Sequence, residues 1–242
     1  MVDNEMNHAE MNKGLLNRLK GYMTPFQYFE VILLIGFTTY FALIDQENTT
    51  LYLVINSLSA ICGVLCVVLC ATGKKSQYYF GFVNIVTYII IAVIGKYYGQ
   101  VALNALYYLP TQFIGMYMWK KHMNEADQKV KSKKMSMKQI GLYLLGIIIG
   151  TILCRYLLEE LGGRETWLDS ATLMISLVAN ALMVLRYKEQ WILWIVVDVI
   201  TVILWILARD WIQVSMWSIY LLNAFYGYIQ WSSMSKKNTE NE

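Results

Sequence analysis

Gln190-Trp-Ile-Leu-Trp-Ile-Val-Val-Asp-Val-Ile-Thr-Val-Ile-Leu-Trp-Ile-Leu207 is a nearly unbroken apolar run with one carboxylate, Asp198, close to its middle. An α-helix needs about 20 predominantly apolar residues to cross the hydrocarbon core of a bilayer. A carboxylate at that depth is costly unless it faces protein, water or a ligand. The stretch therefore predicts a membrane-spanning helix with one functional polar face.

Apolar runs of this kind recur along the whole chain. Of its 242 residues, 57% are hydrophobic and only 15% are charged, whereas a soluble domain has about 25% charged residues. We predict an all-α membrane protein with about eight transmembrane helices. The predicted spans are 26–44, 51–71, 78–95, 101–119, 140–158, 168–185, 191–208 and 211–231.

The distribution of positive charge predicts the orientation. Sixteen of the 20 Lys and Arg residues fall in alternate segments between the spans, and such segments are cytoplasmic by the positive-inside rule. Both termini are therefore expected in the cytoplasm. The loop 120–138 holds seven lysines, which orientation and contact with lipid headgroups explain without a nucleic-acid partner. The polar first 24 residues show no cleavable signal peptide.

The two halves of the chain resemble each other. Phe113-x-Gly-x-x-x-Trp119 returns 112 residues later as Phe225-x-Gly-x-x-x-Trp231. This offset covers four helices, an even number, so the copies cross the membrane in the same direction. We predict two parallel three-helix bundles joined by a linker helix, with an extra N-terminal helix. The segments are 1–24 (N-terminal tail), 25–49 (additional helix), 50–120 (first bundle), 121–166 (basic loop, linker helix and external loop), 167–232 (second bundle) and 233–242 (C-terminal tail).

Polar side chains form stripes on six of the predicted helices. Trp191, Trp194, Asp198 and Thr201 share one face of helix 7. Single Asn, Gln or Ser residues could simply hydrogen-bond between helices, but aligned stripes predict a shared cavity. A carboxylate beside two indole rings suits a flat cationic heterocycle. The candidate substrate-binding residues are Asn84, Tyr88, Asn104, Tyr108, Gln112, Ser176, Asn180, Trp191, Trp194, Asp198 and Asn223.

Cysteine and histidine offer no other chemistry. Cys62, Cys66 and Cys70 recur every fourth residue, a spacing best explained by packing as small apolar side chains. No histidine lies near them and no Cys-x-x-Cys pair occurs, so we expect neither a metal nor a disulfide. His8 and His122 lie outside the spans and cannot join a buried carboxylate in acid–base catalysis. We predict no catalytic residue, no cofactor and no enzymatic activity.

Four of the other six tryptophans lie near predicted span ends. Such positions are typical of the aromatic belts that mark the two membrane interfaces. The predicted belt residues are Trp119, Trp167, Trp211 and Trp231.

Four segments resemble the PnuC family of bacterial nicotinamide riboside transporters. They are Trp167-Leu-Asp-Ser170, Glu189-Gln-Trp-Ile-Leu-Trp-Ile-Val-Val-Asp-Val199, Tyr79-Phe-Gly-Phe-Val-Asn84 and Gln112-Phe-Ile-Gly-Met-Tyr-Met-Trp119. The resemblance covers residues 50–232. It implies a multi-pass protein of the bacterial inner membrane with the SWEET-like three-plus-one-plus-three architecture and a homotrimeric assembly.

The same resemblance implies a function. Members of the family move nicotinamide riboside, a vitamin B3 precursor of NAD, by facilitated diffusion, and their Trp-x-x-Trp pair corresponds to Trp191 and Trp194. The position of Asp198 is often Asn in the family. A transporter of thiamine or another cationic aromatic vitamin is therefore the alternative, ahead of a channel or receptor.

Overall fold

The computed structural model describes residues 23–44, 49–96, 98–124, 128–160, 166–207, 209 and 211–240. Within these ranges the chain forms eight helices, as the all-α prediction requires. They are α1 (Pro25–Ile44), α2 (Thr50–Ala71), α3 (Gln77–Ile94), α4 (Tyr98–Leu103, a π-helical turn Asn104–Tyr108, and Leu109–Lys120), α5 (Met137–Glu160), α6 (Thr166–Val184), α7 (Gln190–Leu207) and α8 (Trp211–Glu240).

Apolar and polar side chains are distributed over the bundle as in a membrane protein. Among the described residues, α2, α3, α5, α6 and α7 are long and apolar enough to cross a bilayer. Large apolar side chains such as Leu142 and Ile148 lie exposed on the outside of the bundle, whereas Gln77, Gln190 and Asp198 are buried. Apolar side chains outside and polar side chains inside are the arrangement that lipid favours.

The two three-helix bundles are α2–α4 and α6–α8. They meet where α2 packs against α8 and where α4 packs against α6. Helix α1 packs on α2 just as α5 packs on α6, and the first residues of α1 and α5 lie 112 positions apart. Helix α1 thus lies beside α2 as the linker α5 lies beside α6.

One end of the bundle gathers the lysine-rich segments. The segment that follows α4 lies across it, since Val130 N donates to Gly73 O (2.9 Å) and Lys133 N donates to Arg186 O (2.8 Å). Gly73, with a φ of 72°, and Arg186, with a φ of 69°, form the tight turns after α2 and α6. We call this the lysine-rich end.

Two predicted belt tryptophans are instead interior. Trp119 and Trp231 lie at the lysine-rich end and are fully buried, so the belt prediction is wrong for both. The segment after α4 covers them, and their indole N–H groups bond within the protein, each at 3.0 Å, to Met183 O and Cys70 O respectively. Trp167 is exposed, while the side chain of Trp211 lies outside the described residues.

The predicted tails are only partly described. Residues 1–22, including His8, lie outside the described residues, as do 161–165 of the predicted external loop and the last two residues of the chain. The segment 233–242, predicted as a tail, is helical as far as Glu240 because α8 continues past the bundle.

Candidate binding cavity

A cavity of about 320 Å³ lies between the two bundles. Six helices, α2, α3, α4, α6, α7 and α8, contribute to its wall, so neither bundle forms it alone. On α3 and α6, the residues that line the cavity are in the half of each helix nearer the lysine-rich end. The cavity contains nine of the candidate residues, namely Asn84, Asn104, Tyr108, Gln112, Asn180, Trp191, Trp194, Asp198 and Asn223.

Two candidate residues lie outside this wall. Tyr88 is 39% exposed, and neither it nor Ser176 lines the cavity. Each is one helical turn farther from the lysine-rich end than a lining residue, Asn84 on α3 and Asn180 on α6. Helical periodicity placed them on the correct stripes but could not show where along each stripe the cavity ends.

Trp191 and Trp194 lie one turn apart on the same face of α7. Trp191 is buried, and its indole packs so closely on α8 that a Cβ at Gly227 would lie 2.6 Å from Cε2 and Cζ2 of the ring. It also meets Trp231, one turn from Gly227 on α8, edge to face, with ring centroids 6.2 Å apart. Trp191 is thus a fixed wall of the cavity, while the half-buried Trp194 presents the more accessible ring.

Asp198 is the only acid, and there is no base, among the described residues that line the cavity. Its side chain is 5% exposed, and it takes part in no salt bridge within the described chain. Tyr220 and Cys66 also line the cavity beside it. A carboxylate without a protein counter-ion in a cavity with two indoles provides a site for a cation with an aromatic face.

The amide side chains fall into two groups. Asn84 donates to Ser59 O (2.8 Å) on α2, and Asn104 donates to Gln100 O (2.9 Å) on its own helix. By contrast, Oε1 of Gln112 and the Oδ1 atoms of Asn180 and Asn223 are buried without a partner. Asn84 thus bonds between helices, the alternative that the sequence left open, as does Asn223 through Nδ2, which donates to Val67 O at 3.4 Å. The unpaired oxygens of the second group can accept hydrogen bonds from a ligand.

A break in α4 shapes the wall that carries Gln112. Pro110 has no N–H to donate, and Leu109 N bonds instead to Asn104 O, five residues earlier. A π-helical turn of this kind commonly marks a functional site. On the facing helix, a Cβ at Gly81 would lie 2.6 Å from Gln112 Oε1, so glycine at this position gives the Gln112 side chain its room.

Several lining residues were missed from sequence. Cys66 and Cys70 line the cavity rather than serving only as packing, and Trp217 and Tyr220 join them from α8. Gln77 is fully buried and accepts from Cys66 Sγ at 3.3 Å. The signal for Tyr220 was present, because it shares a stripe with Asn223. No group of three His, Cys, Asp or Glu residues that could hold a metal occurs in the described parts of the chain.

A family profile described as "Nicotinamide mononucleotide transporter" matches residues 53–233. A Neisseria mucosa protein named nicotinamide riboside transporter PnuC is 36% identical over 224 residues, which is 88% of this chain and 84% of that protein. This chain belongs to the PnuC family. Its Haemophilus influenzae relative of the same name is 38% identical over 182 residues, 74% of this chain and 80% of that protein.

The PnuC fold is confirmed by a solved structure. The crystal structure of the vitamin B3 transporter PnuC matches with a TM-score of 0.74 and 34% identity, and covers 90% of this chain and 95% of that one. The PnuC resemblance noted from four short segments is thus confirmed over nearly the whole chain.

Proposed function

We propose that this PnuC protein carries nicotinamide riboside across a bacterial inner membrane by facilitated diffusion with alternating access. The observation that supports this most directly is Asp198, an unpaired carboxylate that lines the same cavity as Trp191 and Trp194. Nicotinamide riboside carries a permanent positive charge on a flat aromatic ring, so both features have a role. A volume of about 320 Å³ lies within the range of small-molecule sites, roughly 300–1,000 Å³.

The cavity favours the riboside over the mononucleotide. No Lys, Arg or His lines the described cavity wall, whereas phosphate sites rely on cations or clustered N–H donors. A phosphate near Asp198 would place like charges together, which costs several kcal/mol. The unpaired oxygens of Gln112, Asn180 and Asn223 instead suit hydroxyl and amide donors.

The lysine-rich end is, in this proposal, the cytoplasmic side. The turn Gly73–Lys75, the segment after α4 and the turn after α6 supply its positive charge, and positive residues stay inside. Both termini would then be cytoplasmic. Rocking of one bundle against the other would expose the cavity to each side in turn.

Assembly and lipid contact are part of the same proposal. The PnuC resemblance predicts a homotrimer, and α5 offers an apolar face that nothing in the described chain covers. A methyl group added at Gly141 or Gly146 of this helix would meet no atom of another element within 4 Å. Mass measurement of the protein released from lipid nanodiscs would test the trimer, with a monomer as the contrary result.

Thiamine transport is the second candidate, because thiamine is also a cationic aromatic and Asp198 with two tryptophans would suit it. Calorimetric titration of the purified protein with nicotinamide riboside, thiamine and nicotinamide mononucleotide separates the hypotheses. We expect tight binding of the riboside alone. Preference for thiamine would keep the site and change the substrate.

The matched variants are Trp194→Ala and Trp205→Ala, since both remove an indole from α7 but only Trp194 lines the cavity. Base–indole stacking contributes about 1–3 kcal/mol, so Trp194→Ala should weaken riboside binding about fivefold to 150-fold. Trp205→Ala should bind as the unmodified protein does. Equal affinities of the two variants would contradict the stacking role.

A further inference from the structure

Residues 128–135, between α4 and α5, cross the lysine-rich end as an extended strap. Val130 N donates to Gly73 O (2.9 Å) at the turn between α2 and α3. Lys133 N donates to Arg186 O (2.8 Å) at the turn between α6 and α7. The strap therefore ties the ends of both bundles together.

The strap inserts side chains into the bundle. Val130 and Ser132 are each 2% exposed, and Ser132 Oγ donates to Trp231 O on α8 at 3.1 Å. The intervening Lys131 and the following Lys134 are exposed. Three of the six residues from Val130 to Met135 are buried, so the strap is docked on the bundle rather than free in solution.

Four aromatic side chains form a layer beneath the strap. Tyr78 meets Trp119 at 5.1 Å, Trp119 meets Trp231 at 5.5 Å, and Trp231 meets Trp191 at 6.2 Å between ring centroids. Val130 belongs to the same buried cluster. Because Trp191 also lines the cavity, this aromatic layer lies between the cavity and the strap.

Two hydrogen bonds cross between the bundles in this layer. Trp119, on the first bundle, donates to Met183 O on the second, and Trp231, on the second bundle, donates to Cys70 O on the first, both at 3.0 Å. Parting of the bundles at this end has to break both bonds. The strap, which is bonded to Gly73 and to the turn after α6, also has to release at least one of these two turns.

We propose that the strap is a latch on the exit gate of the cavity, with the aromatic layer as the gate itself. The proposal rests on the proposed transport function. Substrate leaves at the lysine-rich end only when the strap lifts Val130 and Ser132 from the layer and the two tryptophan bonds open. The state described by this structure has that gate closed.

Cys70 reports gate opening without any substrate. It is 4% exposed, lies in the layer and lines the cavity. In a background with Cys62, Cys66 and Cys154 replaced by Ala, a membrane-impermeant thiol reagent is applied to the lysine-rich side of oriented vesicles. Ser132→Ala removes the hydroxyl that bonds to Trp231 O and should raise the labelling rate of Cys70 about threefold to tenfold.

Lys134→Ala is the control, since it changes the same strap at an exposed position. We expect its labelling rate to equal that of the background. Equal rates in Ser132→Ala and Lys134→Ala would overturn the latch. Because this assay needs no substrate, it tests the latch separately from transport. If the labelling rates are equal but riboside still binds, the latch is wrong and the proposed function stands. If Ser132→Ala is labelled faster but the protein does not bind riboside, the proposed function is wrong and the movement of the strap stands.

A cross-link tests the same latch in the other direction. Val130 Cγ1 and Met234 Cε lie 3.3 and 3.2 Å from a common point, the Cβ position at Gly73. With the native cysteines kept, Val130→Cys with Met234→Cys allows a disulfide between the strap and α8, and Met234→Cys alone is the control. Oxidation should abolish riboside uptake and a reductant should restore it. Unchanged uptake by the oxidised, cross-linked protein would overturn the proposal.

Discussion

Gly227→Ala tests whether Trp191 must stay where the structure places it. The new methyl carbon would lie 2.6 Å from Cε2 and Cζ2 of Trp191, at least 0.8 Å inside the 3.4 Å limit of ordinary contact. Trp231, one turn farther along the same face of α8, already meets the ring edge to face, so the indole has to shift from the position in which it lines the cavity. Overpacking of this size costs about 1–3 kcal/mol.

If that cost falls on the bound state, riboside affinity decreases about fivefold to 150-fold. Gly146→Ala is the matched control, because it makes the same change within a helix but meets no atom of another element within 4 Å. Both variants gain the same helix propensity. Calorimetric titration in detergent measures the affinities, and thermal unfolding shows whether each variant is folded. Affinity of Gly227→Ala equal to that of Gly146→Ala would refute the argument.

Three further predictions follow from single side chains. Asp198→Asn should weaken binding of cationic nicotinamide riboside about tenfold, because a charge-assisted contact is lost. In the same titration it should leave binding of the uncharged dihydro form unchanged. Equal losses of affinity for the two ligands would argue against a charge role. Trp231→Phe removes the indole donor to Cys70 O, which keeps its bond from Gly73 N, and should lower the free energy of unfolding by about 0.5–1.5 kcal/mol, the net contribution of one hydrogen bond. Trp167→Phe, at an exposed position, should not lower it; denaturant titrations followed by circular dichroism compare the two variants. Burial, reinforced by Lys129, lowers the pKa of Lys74 to about 8. Between pH 8 and 10.5 the unfolded chain therefore binds more protons than the folded protein, and stability rises with pH. Lys74→Gln should reduce this rise in the unfolding midpoint, and a pH profile identical to that of the unmodified protein would count against it.

The cavity explains how one set of residues can serve two purposes. Trp191 lines the cavity and also takes part in the aromatic layer that closes its lysine-rich side. Movement of this ring with α7 would therefore couple ligand contact to the gate. The coupling needs no ion site, which agrees with transport by facilitated diffusion as proposed.

The membrane character, the repeat and the decisive face of α7 were all predictable. Apolar runs and helical period are local properties, and each is written in a single stretch of chain. The fourfold and threefold spacings therefore brought Trp191, Trp194 and Asp198 to one face without knowledge of their neighbours. The same reasoning placed Gln112, Asn180 and Asn223 correctly at the cavity.

Partner assignments could not be predicted in this way. Asn84 and Gln112 look alike in sequence. The packing of α3 on α2 gives Asn84 its bond to Ser59, whereas Oε1 of Gln112, on α4, has no hydrogen-bond partner. Likewise, Trp119 and Trp231 occur where belt tryptophans occur. Their burial depends on a strap that docks from elsewhere in the chain.

The sequence by itself determined that this chain spans a membrane, that its halves repeat, and that α7 carries two indoles and a carboxylate on one face. The tertiary structure alone decided which polar atoms remain open to a ligand and which aromatic rings close the cavity. The physical reason is the distance along the chain over which each property is set. Hydropathy and helical period act within a helix, whereas hydrogen-bond satisfaction and burial depend on residues such as Cys70 and Trp231, which lie 161 positions apart and meet only in the folded protein.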